Sequence, residues 1–309
     1  MSADCQSSSS FAGSARSSLE RSINDCLCGI ALMGGGYYSE AMRITSWNFL
    51  HGQPLKPPMD RAYSDAVRSL ASDVIALQEV DFNLERSNSR NQSGDVAQVI
   101  GAAHWGFAPA ISGTPGVKWR KLKPNEKVVF TAQNISESNE SEYYGISIIS
   151  KVPVKSWLRL ELGRSLLGMP LAVGNEKGKM TLIYVKDEPR VAIAAVLDNG
   201  WTVINTHLSF IPFVNIYQLF KLSRWAKAIE REYSTKVILL GDFNLPGGIP
   251  SKLTLWKRAT RSLSYPSWSP KISFDYILMR EEFLRQSTEV TVPTLDISDH
   301  RPLSIDLIN

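Results

Sequence analysis

Apolar and polar positions change period several times between residues 42 and 309, and each change predicts an element. Arg43-Ile44-Thr45-Ser46-Trp47 alternates, as a half-buried strand does, and meets Asn48. Apolar spacing between Met59 and Ala71 predicts a helix. Val74-Ile75-Ala76-Leu77 is an unbroken apolar run, the pattern of a strand covered on both faces, and it stops at Gln78-Glu79. A second helix is expected within Gly94 to Ala103, and Ile146-Ser147-Ile148-Ile149 predicts a core strand closed by Lys151-Val152-Pro153. Met180 to Val185 and Pro189 to Leu197 flank the charged triplet Lys186-Asp187-Glu188 and predict a hairpin. Trp201 to Ile204 reads as a strand ending at Asn205-Thr206-His207, and Asn215 to Tyr233 carries the longest helical pattern. Lys236 to Leu240 is another buried strand, ending at Gly241-Asp242, with Ile272 to Met279 and Leu303 to Ile308 following. Many strands and few long helices predict an α/β protein of two packed mixed sheets with helices outside. There is no internal repeat.

Residues 1–41 break from this pattern. They are rich in Ser and Gly, as in Ser7 to Ser10 and Gly34-Gly35-Gly36, and predict a disordered or loosely attached tail before a single domain over 42–309. The tail holds four acidic and two basic residues, so the chain's net charge of +4 leaves +6 on the remainder. That mild basicity suits a phosphate-bearing substrate without demanding one. All three cysteines, Cys5, Cys26 and Cys28, lie in the tail, which excludes a disulfide framework or a cysteine zinc site in the core. No apolar run reaches the roughly 18 residues that span a bilayer. Cys26 to Met33 is short and lacks a compact basic flank, so a cytoplasmic protein is expected, with a monomer as the default state. Gly113 to Tyr143, interrupted by Pro115 and Pro124, reads as a long inserted loop, and Pro246 to Pro250 as a shorter break.

The candidate chemistry sits where the predicted strands stop. Asn48, Glu79, His207 and the pair Asp242 and Asn244 each follow an apolar strand, and Asp299-His300 precedes the last one. In sheets of this kind ligand-binding groups gather beyond the strands' carboxyl ends, although any buried strand also needs a polar stop. Hard divalent cations prefer carboxylate and amide oxygens, which makes Glu79 the leading ligand candidate beside Asn48 and Asp299. Phosphodiester cleavage also needs a positioned water, a base and stabilisation of developing charge. Asp242, His207 and His300 supply such groups, and Asn244 can contact a phosphate oxygen or hold Asp242. Asp275 lies inside a strand-like run, Phe274-Asp275-Tyr276, where an acid is costly unless paired. An imidazole partner would fix that ring's tautomer and orientation.

The ordered motifs WNFLHG, ALQEVD, NTHL, GDFN, FDYIL and SDHRPL, with YYGISIISKVPV between the second and third, resemble those of the endonuclease/exonuclease/phosphatase superfamily. The resemblance runs from about Arg43 to Leu307 and implies the deoxyribonuclease I-like four-layer α/β sandwich. It implies Glu79 as the Mg²⁺ ligand with Asn48 beside it, Mn²⁺ being a substitute. It further implies Asp242 orienting the attacking water, Asn244 contacting the scissile phosphate, and His300, supported by Asp275, contacting the phosphate or acting as acid or base. Asp299 would join the metal or water network, and His207 would stabilise the pentavalent state or assist the leaving oxygen. Which carboxylate is the base stays open. Leu50 and His207 differ from the residues that abasic-site endonucleases usually carry, and the basic extensions of the inositol-phosphatase branch are missing. The chain looks closer to the branch of nucleases, lipid phosphatases and sphingomyelinases.

The substrate readings follow. Val117 to Lys123 sets four cations around Trp119, so Lys118 and Arg120 are candidate nucleic-acid contacts, against the alternative of a solvated loop anchored by one indole. Arg301, next to His300, is a candidate phosphate contact. His51 and His104 read as structural or surface residues. Phe210-Ile211-Pro212-Phe213-Val214, just after His207, can line a pocket or touch lipid, with core packing the expectation. The leading expectation is a Mg²⁺-dependent phosphodiesterase acting on nucleic acid. The alternatives are a phospholipid or small-molecule phosphoesterase and, in another class, an inactive binding module, against which the intact set of Glu79, Asp242, Asn244, Asp299 and His300 speaks.

Overall fold

Two parallel strand pairs, one in each of two sheets, set the architecture. The computed structural model describes residues 41–56, 63–135, 141–174 and 180–308. The tail expected at the N-terminus lies, up to residue 40, outside the described residues, as does the start of the helix expected from Met59. In chain order the strands are β1 (Met42–Asn48), β2 (Val74–Phe82), β3 (His104–Thr114), β4 (Lys118–Arg120), β5 (Phe130–Thr131) and β6 (Tyr143–Ser150). Then come β7 (Val154–Gly163), β8 (Met169–Gly174), β9 (Met180–Val185), β10 (Arg190–Leu197) and β11 (Trp201–His207). The last are β12 (Lys236–Asp242), β13 (Trp256–Arg258), β14 (Asp275–Arg280), β15 (Ser287–Val290) and β16 (Leu303–Leu307). The helices are α1 (Ser64–Ser69), α2 (Gln92–Ile100), α3 (Val214–Glu232) and α4 (Ile249–Leu253).

An eight-stranded sheet runs β15-β16-β1-β2-β6-β3-β4 with β5 beside β3, and a six-stranded sheet runs β13-β14-β12-β11-β10-β7. In the first, β1 and β2 are parallel, and Asn48 pairs with Gln78 at their carboxyl ends. In the second, β11 and β12 are parallel and end with His207 opposite Asp242. The strand alternation explains the layers. Val74, Ala76, Ile146 and Ile148 face Ile193, Val203, Ile238 and Ile277 between the sheets. Ile75, Leu77 and Phe107 turn outward onto Val67 of α1 and Val96 of α2. Ala194, Ile204 and Leu239 turn outward onto Leu219, Leu222 and Ala226 of α3. Helices thus cover both outer faces, which is why the core strands read as continuous apolar runs. Each fully buried Leu or Ile stabilises the fold by about 1.5–3 kcal/mol.

Polar bonds replace hydrocarbon at one end of this sandwich. Gln78 Nε2 donates to Asn205 Oδ1 at 2.7 Å, across the gap between sheets. Asn205 Nδ2 in turn donates to the Leu77 and Ser147 carbonyls, both at 2.8 Å. One β11 side chain therefore satisfies main-chain acceptors of two strands in the opposite sheet. Gly241, next to Asp242, has φ +133°, and a Cβ there would collide with the Thr206 carbonyl oxygen of the neighbouring strand.

Two expectations change. The predicted hairpin of Met180–Val185 with Pro189–Leu197 does not form: β9 pairs back onto β8, and β10 pairs with β7 and β11. The charged triplet is not a solvated turn, because Asp187 and Glu188 are buried around Arg190, 3.6 and 3.0 Å from its Nη2. Asp187 also accepts from the Ser165 N–H at 2.6 Å and the Ser209 hydroxyl at 2.9 Å. The long loop from Gly113 carries β4, a 3₁₀ turn at Pro124–Glu126 and β5. No helix among the described residues is long and apolar enough to cross a membrane.

Replacing Asn205 by Ala is expected to cost about 2–4 kcal/mol, since it removes the Asn205 bonds to the Leu77 and Ser147 carbonyls and leaves the Gln78 amide only its longer contacts to Ser46 and Ala76. A lowered urea midpoint at unchanged m-value is the expected reading, and an unchanged midpoint would remove this bond from the account.

Candidate active site

Glu79 owes its position to an irregularity in β2. The β2–β6 register runs from Leu77↔Ser147 to Val80↔Gly145, so Gln78 and Glu79 share the single partner position of Ile146. This is a β-bulge, and Glu79 adopts the left-handed φ of +57°. Gln78 keeps facing the other sheet and Val80 the outer layer, which frees the Glu79 carboxylate to reach across the strand ends. Asn48 Nδ2 donates to Glu79 Oε1 at 3.0 Å and to Asp242 Oδ2 at 3.1 Å, joining the last residues of β1 and β12. Asp242 Oδ1 accepts the Asn244 N–H at 2.9 Å, while Asn244 Nδ2 donates to the Leu208 carbonyl at 3.0 Å.

The segment before β16 supplies the other half. His300 Nδ1 lies 2.7 Å from Asp275 Oδ2, so the first residue of β14 orients the ring. The Ser298 hydroxyl donates to the Asn48 carbonyl at 2.6 Å and accepts the His300 N–H at 3.1 Å. Trp47 Nε1 donates to the His300 carbonyl at 3.0 Å, and the Tyr265 ring lies against the imidazole, centroids 4.9 Å apart. His300 Nε2 and His207 Nε2 both point at Asp242 Oδ2, from 3.9 and 3.7 Å. Ser298 and Asn244 join Glu79 in left-handed backbone, at φ 65° and 50°. Such conformations persist where the surroundings over-determine them.

Electrostatics divides the two imidazoles. Burial holds His207 well below its ordinary pKa, and Arg190 and His300 add to that, so its ring is neutral. Burial opposes charge on His300 too, but Asp275, with Asp242 and Asp299 behind it, outweighs burial and raises it to about 10. Burial and then Asp299 raise Glu79 to about 7, against the Asn48 hydrogen bond. Burial and then Asp275 raise Asp242 to about 6. Burial likewise raises Asp299. Carboxylates thus outnumber cations here, and the surplus negative charge raises their proton affinity.

The sequence matches the Endonuclease/Exonuclease/phosphatase family over residues 45–300. The chain belongs to the endonuclease/exonuclease/phosphatase family. An endonuclease/exonuclease/phosphatase from Beutenbergia cavernae has a similar fold at TM-score 0.57 and 15% identity, covering 87% of this chain and 72% of that one. A mannosyl-6-phosphatase from Bacteroides thetaiotaomicron is similar at TM-score 0.53 and 12% identity, covering 87% and 100%. The human Nocturnin catalytic domain with bound sulfate is similar at TM-score 0.50 and 14% identity, covering 86% and 93%. At these identities the likeness shows the shared deoxyribonuclease I-like fold. No curated protein sequence matches the chain closely enough to be called a relative. The family is one of hydrolytic phosphoesterases, typically dependent on a divalent metal.

In this family member the fold brings Asn48, Glu79, His207, Asp242, Asn244, Asp275, Asp299 and His300 to one end of the sandwich. The remaining sequence candidates lie elsewhere or are engaged. Lys118 and Arg120 are on β4, three strand spacings or roughly 14 Å along the sheet from β2. Arg120 is held by Glu126 through two contacts of 2.7 Å. Arg301 Nε donates to the Ser267 carbonyl at 2.6 Å, so it braces the loop beside Asp299. Sequence reasoning missed Ser298 and Tyr265 as parts of the site, and set Arg190, which flanks a predicted strand, behind Arg301 as a phosphate contact. Ser298 lies inside the SDHRPL motif, as a loop hydroxyl next to two candidate side chains; Tyr265 carries no local signal.

In the metal-free protein the His300 ring is expected to stay protonated through neutral pH and to titrate near pH 10, with Asp275→Asn lowering that value. The folded value exceeds the free imidazole's of about 6.5, so its stabilisation is complete below that pH and fades as pH rises through 10. Nitrogen-15 NMR of the imidazole reads this directly, and a neutral wild-type ring at pH 7 would contradict it.

Proposed function

We propose that this protein is a divalent-metal-dependent phosphodiesterase that cleaves nucleic acid. The observation that carries the hydrolytic reading is the convergence of Asn48, Glu79, Asp242 and the Asp275–His300 pair on one cleft end. Glu79, Asn48 and Asp299 suit a hard cation by donor chemistry, being two carboxylates and an amide. Burial raises the proton affinity of Glu79 and of Asp299, and Asp299 raises Glu79 further, a repulsion that a cation relieves. Asp242, Asp275 and His300 also offer donor atoms within 4.8 Å of one another. The short Asp275–His300 bond uses one atom of each, however, so that group reads as an oriented imidazole beside a base rather than a cage. When bound, Mg²⁺, or Mn²⁺ in its place, supplies Lewis-acid charge to the phosphoryl oxygens.

The side chains divide the remaining work. Asp242, with proton affinity near neutrality, takes the proton of the attacking water, its Oδ1 pinned by the Asn244 N–H. Protonated His300 presents Nε2 to a non-bridging oxygen, held by Asp275 so that the donor does not swing as charge develops. Neutral His207 offers a second ring nitrogen to the pentavalent phosphorus oxygens or the leaving oxygen, and Asn244 contacts the phosphate.

A cleft of about 360 Å³ supports a polyanionic substrate, because its wall carries Lys121 and Arg164 beside the paired Lys127–Glu161 and the buried Arg190 that Asp187 and Glu188 hold. Arg190 also lines the narrow gap that reaches His207. Arg164 stacks over the Trp119 ring, 5.5 Å away, placing guanidinium and indole together on this path. A second reading, a phospholipid ester, is favoured by the exposure of Phe213, six residues beyond His207.

Purified protein with Mg²⁺ should hydrolyse bis-p-nitrophenyl phosphate and nick plasmid DNA, with EDTA abolishing both. Glu79→Gln and His300→Ala should each lower kcat/KM by at least about 10²-fold. Turnover that survives both substitutions and EDTA would overturn the assignment, and a panel of DNA, RNA, phosphoinositide and sphingomyelin separates the two substrate readings.

A further inference from the structure

Within the segment Phe210 to Val214, expected in the core, Pro212 and Phe213 turn outward instead while their neighbours stay half-buried. Phe213 is 82% exposed, and it sits at φ +67°, a left-handed conformation unfavourable for a bulky residue. Both the exposed ring and the strained backbone cost free energy, so the position is held by something other than core packing. Phe213 opens a stripe along α3. Tyr217, Phe220, Arg224 and Lys227 follow at helical spacing on the side opposite the buried Leu219, Leu222, Ala226 and Ile229. Tyr217 is 59% exposed and Phe220 44%. Leu253 and Leu255, also exposed, stand across an open groove of about 770 Å³ with Lys252, Arg224 and Lys227 in its wall.

The charge around this face is one-sided. The groove wall holds Arg224, Lys227 and Lys252 and no carboxylate, and the acidic residues of α3, Glu230 and Glu232, lie in its last turn. Lys221, Arg224, Lys227 and Lys252 make no ion pair among the described residues. Protruding aromatic and leucine side chains flanked by free cations match the interfacial zone of a bilayer. Rings enter the acyl boundary there and ammonium groups stay with anionic headgroups. A polynucleotide would use the cations but gains little from two exposed leucines.

We propose that the α3–α4 face docks this protein on an anionic phospholipid bilayer. Docking is independent of which ester is cleaved. It orients the cleft, because Asn215 Nδ2 at the start of α3 donates to the carbonyl of Asn244 at 3.0 Å. The aromatic end of the face is therefore tied to the loop that pins Asp242.

Sedimentation of the full chain with phosphatidylcholine vesicles, with and without phosphatidylserine, tests this without reference to turnover. Binding is expected only to the phosphatidylserine vesicles and should weaken as salt rises. Changing Phe213, Tyr217 and Phe220 together to Ser should reduce partition by at least about ten-fold. Arg224→Gln with Lys227→Gln and Lys252→Gln should lower it by on the order of a hundred-fold, about five-fold for each cation lost. Hydrolysis of soluble bis-p-nitrophenyl phosphate should be unchanged in both variants, which keeps a failure of docking distinct from a failure of the hydrolase assignment. The proposal is overturned if the wild type stays in solution with anionic vesicles, or if the variants bind them equally well. It is also overturned if the face instead mediates self-association or single-stranded DNA binding that the same substitutions abolish.

Discussion

Polar bonds cross between the sheets at one end of the sandwich, and the geometry of the site depends on three of them in particular. Asn48 reaches Asp242, Gln78 reaches Asn205, and His300, at the entry to β16, reaches Asp275 at the start of β14. Each joins the eight-stranded sheet to the six-stranded one. Hydrocarbon contacts tolerate small slips of one sheet over another, whereas bonds of 2.7–3.1 Å do not. The relative placement of Glu79 and Asp242, which come from different sheets, is thereby as rigid as if one strand carried both.

The same seam concentrates unlike electrostatic demands in a small volume. Burial would neutralise every titratable group there, but the two imidazoles end in opposite states. His300 stays charged because three carboxylates surround it, whereas burial, reinforced by Arg190, keeps His207 neutral. A proton donor and a neutral ring nitrogen thus flank the same Asp242 oxygen without any difference in residue type. The buried Arg190 is itself neutralised by Asp187 and Glu188.

Much of this was legible in the sequence because buried strands announce themselves. The runs at Val74 and Lys236 predicted β2 and β12, and the pattern from Asn215 to Tyr233 matches α3 within a residue at each end. The polar stops of those runs gave the ligating and proton-transfer candidates that the fold brings together. What stayed hidden depended on long-range pairing. Lys186-Asp187-Glu188 looks like a solvated turn until Arg190 and Ser209 are placed against it. Arg120 looks like a free cation until Glu126 is folded onto it. The exposure of Phe213 contradicts its apolar character, and only the backbone conformation at that residue reveals it.

The bulge in β2 has a consequence for how this chemistry is attached to the fold. Opposite Ile146 the strand holds two residues where the ladder has room for one. Excising Glu79 alone would leave Gln78 facing that partner and Val80 next in step, an uninterrupted strand with both faces still covered. The scaffold is therefore complete without its principal candidate metal ligand. A loss of one codon would remove that carboxylate at little cost to folding, and the reverse insertion would be enough to seat a carboxylate above an existing sandwich.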